Sequence, residues 1–132
     1  MNVARRQIEG IDILDLKGRL TIGSESAPLR EQISTLVTEG KSNLILNLNQ
    51  VDSIDSTGLG TLVICYAALQ QHGGALKLAN VAPRHLELLL LTKLTTVFEL
   101  FDNERDAVNS FFPERATKVT GVQEYARGRS SR

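Results

Sequence analysis

Hydrophobic residues along the chain switch between two spacings. Alternation with polar residues, as in IDILDLKG, is typical of strands, and a spacing of three or four residues is typical of helices that bury one face. In the first half of the chain, the pattern predicts an extended start at residues 3–7, a strand at 11–18, a helix at 29–37 and a strand at 43–48 with a short extension. In the second half, it predicts a helix from Leu59 to Leu69, a strand at 75–81, a helix at 83–94, a strand at 96–101 and a last helix carrying Ala107, Val108, Phe111 and Phe112. This order predicts an α/β protein with a mostly parallel sheet, to which the first strand adds an antiparallel edge.

Length and composition fit that fold class. The chain has 132 residues, 42% of them hydrophobic, which is typical of one globular domain. It contains no run of eighteen apolar residues, so we expect no membrane-spanning helix. No apolar segment follows the two arginines near the start, so we expect no signal peptide. Cys65 is the only cysteine, which excludes a disulfide framework or a cysteine-based metal site and favours the reducing cytoplasm.

The formal net charge is zero, but the charge is unevenly distributed. Residues 113–132 carry five basic and two acidic side chains and show little periodicity. We therefore predict a domain at residues 1–112 followed by a basic, flexible tail. The domain itself is mildly acidic, which argues against nucleic acid as a direct partner because phosphate binding requires a basic surface.

The most informative stretch is VDSIDSTGLGTLV, residues 51–63, where a strand gives way to a helix. In an open α/β sheet, ligands bind at this edge, beyond the carboxyl ends of the strands. Ser56 or Thr57 is expected to cap the helix, and Gly58 and Gly60 are expected to leave backbone N–H groups of the first turn open. A capped helix behind a tight turn is the simplest interpretation.

A second interpretation makes Ser56 a phosphorylation site. A phosphate adds about −1.5 to −2 charges, and the positive end of a helix dipole tolerates it, with a gain of roughly 0.3–1 kcal/mol. The fold would survive the modification, whereas a partner docked over Ser56 and Asp55 would meet new bulk and charge. A hundredfold loss of affinity requires only about 2.7 kcal/mol. The loop is therefore suited to a partner-binding site that phosphorylation of Ser56 turns off.

Catalysis by the chain itself is poorly supported. DSTG is not the nucleophile elbow G-x-S-x-G, and GLG lacks the rest of a P-loop or dinucleotide-binding motif. His72 and His85 are predicted to be surface residues, and they lack the spacing of metal ligands. We expect neither enzymatic activity nor a metal site.

Longer blocks of the sequence resemble a known family. LKGRL, SAPLREQI, LILNLNQVDSIDSTGLGTLV, GGALKLANV and LLLLTKLTTVFELFD follow one another as in STAS domains, specifically the stand-alone bacterial anti-sigma-factor antagonists, over residues 3–112. The pattern D-S-[ST]-G-L-G after an apolar strand is the most specific of these blocks. The resemblance implies the STAS fold, with a mixed, mostly parallel sheet of about four or five strands and about four helices.

The resemblance also implies a partner-switching cycle. The unmodified protein would bind an anti-sigma factor that is also a serine kinase of the histidine-kinase-like ATPase type. Phosphorylation of Ser56, with Thr57 as a minor candidate, would break that complex, and a PP2C-type phosphatase would restore it. No cofactor is implied for this chain because ATP belongs to the kinase. We expect a cytoplasmic monomer or weak dimer.

The partner-binding surface that the resemblance implies combines two loops. One comprises Asp55, Ser56, Thr57, Gly58, Leu59 and Gly60, and the other, after KGRL, comprises Thr21, Ile22, Gly23 and Ser24. One position departs from the family, in which an acidic residue commonly follows G-x-L, whereas this chain has Thr21. Threonine cannot supply that charge, which bears on partner identity and phosphorylation efficiency more than on the fold.

Two other functions fit parts of the pattern. A small STAS subunit that docks constitutively on a transporter, such as a lipid-export ABC system, would use the same surface without a phosphate. Nucleotide binding at the glycine-flanked helix start is the other, and the absence of a lysine from this loop disfavours it.

Overall fold

A five-stranded mixed sheet forms the centre of the computed structural model, which describes residues 1–22 and 26–115. The strands are β1 (Asn2–Ile8), β2 (Ile11–Leu20), β3 (Asn43–Ile54), β4 (Ala75–Ala79) and β5 (Glu99–Phe101). The helices are α1 (Ala27–Thr38), α2 (Ser56–Gln71), α3 (Pro83–Leu91) and α4 (Glu104–Asn109), with a 3₁₀ turn at Leu94–Thr96. The strands lie in chain order, and β1 pairs antiparallel with β2 while all other neighbours are parallel. The predicted α/β class and the antiparallel edge are confirmed.

Two apolar layers, one on each face of the sheet, hold the helices in place. Leu44 and Leu46 of β3 belong to the layer that packs α1, α2 and α3, and Ile45 between them belongs to the layer that packs α4. This alternation follows from the two-residue period of a strand, and it requires β3 to be covered on both faces. The prediction of a doubly covered third strand is therefore confirmed.

The structure corrects several predicted boundaries. The short extension predicted after the strand at residues 43–48 is six residues long and ends at Ile54, because Gly18 and Leu20 of β2 pair with Val51 and Ile54 despite the polar residues between them. The helix predicted from Leu59 begins at Ser56.

The last third of the domain differs more from its prediction. The third helix ends at Leu91, because Lys93 adopts a left-handed backbone conformation with φ of 62° before the 3₁₀ turn. The last strand has three residues instead of six, and α4 ends at Asn109, so Phe111 and Phe112 lie beyond it. Local apolar spacing cannot reveal these breaks.

The predicted domain boundary falls near the end of the described chain. Arg115 forms an ion pair with Glu9 at 2.8 Å and lies over the ring of Phe112, so the chain is anchored to the domain as far as this residue. Residues 116–132, which make up most of the predicted flexible tail, lie outside the described residues. Within residues 1–22 and 26–115, the structure has no helix that is long and apolar enough to cross a membrane.

Candidate functional site at the start of the second long helix

The ends of two central strands meet where α2 begins. β2 ends at Leu20 and β3 ends at Ile54, and these two residues are paired across the parallel strands. Asp55 follows directly, and its backbone N–H donates to the carbonyl of Leu20 at 3.3 Å. The loop after β2 and the first turn of α2 therefore lie side by side.

Asp55 is the residue that holds these two segments together. Its backbone is extended, and its carboxylate accepts two hydrogen bonds, from the N–H of Gly58 at 2.8 Å and from the N–H of Ile22 at 3.0 Å. The prediction that Ser56 or Thr57 caps the helix is wrong, because the carboxylate one residue earlier takes that role. The prediction of open N–H groups is also wrong for Gly58, whose N–H is used by the cap.

The motif residues after Asp55 divide into an exposed set and a buried set. Ser56, Thr57 and Gly60 are exposed to solvent. Leu59 packs in the core, and Gly58 is buried so tightly that a Cβ atom there would lie 1.9 Å from the carbonyl oxygen of Leu20. Gly58 therefore allows α2 to pack against the end of β2, and the exposed residues present a surface above it.

The loop after β2 contributes an apolar side chain to this surface. Ile22 is 71% exposed although its backbone is held by Asp55. Thr21, which replaces the expected acidic residue, is half-buried at the end of β2. Gly23 and Ser24, the other two predicted contact residues of this loop, lie outside the described residues.

Two further exposed side chains, Val63 and Ile64, extend the surface along α2. Neither residue belongs to the candidate site residues that the sequence predicted. Their spacing in the sequence could have indicated them, because residues seven and eight positions after Ser56 lie on the same side of a helix as Ser56. The helix has several apolar positions, however, and the sequence alone does not show which of them face the sheet and which face solvent.

Within residues 1–22 and 26–115, the histidines and the cysteine lie away from this site or are buried. His85 is 4% exposed, so the prediction that it is a surface residue is wrong; it lies one turn before buried Leu89 on α3. Burial and neighbouring Arg84 lower the pKa of His85. Burial also raises the pKa of the Cys65 thiol to about 11, which keeps it protonated and weakly nucleophilic at neutral pH.

His72, by contrast, is exposed as predicted, and its Nδ1 lies 2.8 Å from the carbonyl oxygen of Ala68 at the end of α2. Among the described residues, no group of three or more His, Cys, Asp or Glu side chains could hold a metal ion. Of the described residues at this surface, Ser56 and Thr57 offer exposed hydroxyl groups beside the carboxylate of Asp55.

Comparison with known proteins identifies the family. The family model described as "STAS domain" matches residues 2–107. The anti-sigma-B factor antagonist of Bacillus subtilis (strain 168) is 33% identical over 101 residues, which cover 76% of this chain and 90% of that relative.

Solved structures share the fold. The Thermotoga maritima protein TM1081 superposes with a TM-score of 0.74 at 24% identity, covering 82% of this chain and 92% of that one. The Bacillus cell fate determinant SpoIIAA, in its phosphorylated form, superposes with a TM-score of 0.65 at 20% identity, covering 83% of this chain and 99% of that one. The order of strands and helices, the match over nearly the whole described domain and the relative at 33% identity lead to one conclusion: the chain belongs to the STAS domain family.

Proposed function

We propose that this protein is an anti-sigma-factor antagonist that is switched off by phosphorylation of Ser56. The names of its relatives, which include antagonists of anti-sigma-B and anti-sigma-F factors, favour this function over constitutive docking on a transporter. The observation that carries the proposal is the exposure of Ser56 at the first position of α2, where a kinase can reach its hydroxyl group.

The surroundings of Ser56 would allow a phosphate on its hydroxyl group to weaken partner binding without disrupting the fold. The side chain is exposed, so a phosphate group needs no rearrangement of the core. The neighbouring carboxylate of Asp55 already holds the cap N–H of Gly58. The phosphate would therefore add a dianion beside an existing negative charge. A partner resting on this surface would have to desolvate both charges, which weakens its binding.

The proposed partner is an anti-sigma factor that is also a serine kinase with a histidine-kinase-like ATPase fold. In the transfer step, Oγ of Ser56 forms a bond to the γ-phosphorus of ATP, the bond from that phosphorus to the bridging oxygen breaks, and ADP leaves; the hydroxyl proton passes to a base of the kinase. A PP2C-type phosphatase would hydrolyse the phosphoserine and restore binding. This chain then acts in the cytoplasm as substrate and binding protein, without a cofactor or a catalytic residue of its own.

Phosphorylation by a kinase fraction from the native host tests the proposal. We expect intact-mass analysis to show one added phosphate on the wild-type chain and on Thr57→Val, and none on Ser56→Ala. Thr57 is a matched control because its hydroxyl is also exposed one residue away, while its carbonyl, which accepts from Thr61, is retained in the variant. Phosphorylation of Ser56→Ala at the wild-type rate would show that Ser56 is the wrong residue.

A further inference from the structure

A groove lies between helices α1 and α2, away from the proposed phosphorylation site. It has a volume of about 250 Å³, and its lining comes from both helices: Arg30, Ile33, Ser34 and Val37 of α1, and Ile64, Cys65 and Ala68 of α2. The α1 residues recur every three or four positions, so they share one side of that helix. Ile64 follows Ser56 by eight residues, which is about 12 Å along a helix. The groove is therefore a feature separate from the exposed hydroxyl group.

The inside of the groove is mostly apolar. Ile33 and Cys65 are buried, and Val37 and Ala68 are half-buried, whereas Ile64 is 62% exposed at the rim. An apolar lining with a few polar groups is typical of small-molecule sites, which measure about 300–1,000 Å³ for drug-sized ligands. This groove is slightly smaller, so we expect a small ligand with an apolar body.

Arg30 gives the groove a positive charge that internal contacts do not explain. Within residues 1–22 and 26–115, its guanidinium forms no ion pair with a carboxylate. It is the fourth residue of α1, close to the positive end of the helix dipole, where a cation is less favourable than an anion. An arginine at this position therefore contributes little to the isolated domain.

The charge of Arg30 reaches the inside of the groove. Burial raises the pKa of the Cys65 thiol to about 11, and the positive charge of Arg30 opposes that rise. Arg30 and the start of α1 thus make the same end of the groove positive. A carboxylate is the natural counterpart, because an arginine binds it through charge-assisted hydrogen bonds.

We propose that the groove binds a small amphipathic anion, a single-chain carboxylate of the medium-chain fatty acid class. Its carboxylate pairs with Arg30, and its hydrocarbon chain lies between Val37 and Ile64. The ligand thereby supplies the partner that the guanidinium lacks and covers an exposed apolar side chain. This inference goes beyond the proposed function and does not depend on it, because the groove does not include Ser56.

Calorimetric titration of the full chain with sodium hexanoate, octanoate and decanoate tests the inference. The titrations are made at pH 7, below the concentrations at which these ligands form micelles. We expect saturable binding of one ligand per chain. Each methylene that enters the groove should lower the Kd about twofold to fourfold, because its burial is favourable. Absence of saturable decanoate binding overturns the inference.

Two variants, each with a matched control, locate the binding site. Arg30→Gln is expected to raise the Kd for decanoate at least fivefold, whereas Arg105→Gln, which changes an exposed arginine of α4, should leave it unchanged. Ser34→Leu fills the groove from an exposed position and should raise the Kd at least tenfold. Its urea midpoint should not fall, because leucine favours a helix more than serine does. Thr35→Leu is its control, since Thr35 is exposed next to Ser34 but does not line the groove.

These outcomes separate a specific site from adsorption to the surface. Loss of binding without loss of stability in Ser34→Leu supports the inference, because damage to the fold cannot produce that combination. Wild-type affinity of Arg30→Gln or Ser34→Leu overturns it, as does an equal loss of affinity in Thr35→Leu or Arg105→Gln. Vesicles of phosphatidylglycerol provide the last comparison. Binding to these vesicles without binding of free decanoate would indicate a membrane surface as the ligand and would also overturn the inference.

Discussion

The residues of the short motif at the start of α2 have different structural roles, although they are adjacent in sequence. Asp55 accepts from Gly58 and from Ile22, and so it fixes both the helix start and the neighbouring loop. Gly58 allows the helix to pack on β2, and Ser56 offers an exposed hydroxyl group. The site is therefore rigid below its surface and accessible above it, which suits a group that is modified without unfolding.

Removal of the Asp55 carboxylate should destabilise the domain. We expect Asp55→Ala to lower the free energy of unfolding by about 1–2 kcal/mol, because the cap and the bond to Ile22 are both lost. Asp55→Asn should lose less, since its amide oxygen still accepts one of the two bonds. Urea unfolding measures both effects.

Asn103→Ala is the matched control for that experiment. Asn103 caps α4 through the N–H of Asp106 at 2.8 Å, so this variant also removes a side-chain cap but leaves the loop after β2 untouched. Its loss should be smaller than that of Asp55→Ala. Wild-type stability of Asp55→Ala would contradict the structural role assigned to Asp55.

At the scale of elements, a polar network ties the edge strand to the rest of the sheet. Arg6 of β1 donates to Asp15 of β2 at 2.5 and 2.8 Å and also contacts Glu104 of α4. Asn47 of β3 donates to Asp15 at 2.8 Å and accepts from Asn80 at 3.0 Å. One chain of contacts thus reaches from β1 to the end of β4.

This network predicts a pH dependence of stability. The hydrogen bonds from Arg6, with burial opposing, lower the pKa of Asp15. A carboxylate with a lowered pKa in the folded state contributes stability above its unfolded pKa of about 4 and loses that contribution as the pH falls through its folded pKa. Arg6→Gln should therefore cost about 1–2 kcal/mol at pH 7, because it breaks partly exposed charged hydrogen bonds, and progressively less below about pH 4.

Urea midpoints at pH 7, 5, 4 and 3 measure the difference between Arg6→Gln and the wild type. Arg105→Gln, which changes an exposed arginine on α4, serves as the control and should show a small difference that varies little with pH. A difference for Arg6→Gln that stays constant down to pH 3 would contradict the ionised Asp15 as its cause.

Prediction from sequence succeeded where the cause is local. Apolar periodicity depends on neighbouring residues, so the order of strands and helices and the buried third strand were predictable. The full length of the extension of β3, to Ile54, was not predictable, because pairing with β2 outweighs the polar residues of that segment. The motif indicated Ser56 as a candidate site residue. The capping residue was not predictable, because Asp55, Ser56 and Thr57 each carry a side-chain oxygen, and only the extended backbone of Asp55 identifies it as the cap. The contacts of Arg6 with Glu104 join residues far apart in sequence, and no local pattern indicates them.

At the scale of the whole molecule, the contacts that hold the fold are separate from the exposed surface around Ser56. The two apolar layers and the polar network hold the fold, and neither includes the exposed hydroxyl of Ser56. Helix α2 itself carries no charged side chain, and the carboxylate of Asp55 lies at its start. One phosphate on Ser56 would then add a dianion beside the carboxylate of Asp55 without altering the interior.

The affinity of the proposed anti-sigma kinase for the unphosphorylated and the Ser56-phosphorylated chain, measured by calorimetry without ATP, tests this account most directly. We predict that the phosphate raises the Kd at least a hundredfold, equivalent to about 2.7 kcal/mol. Equal Kd values for the two forms would contradict the account.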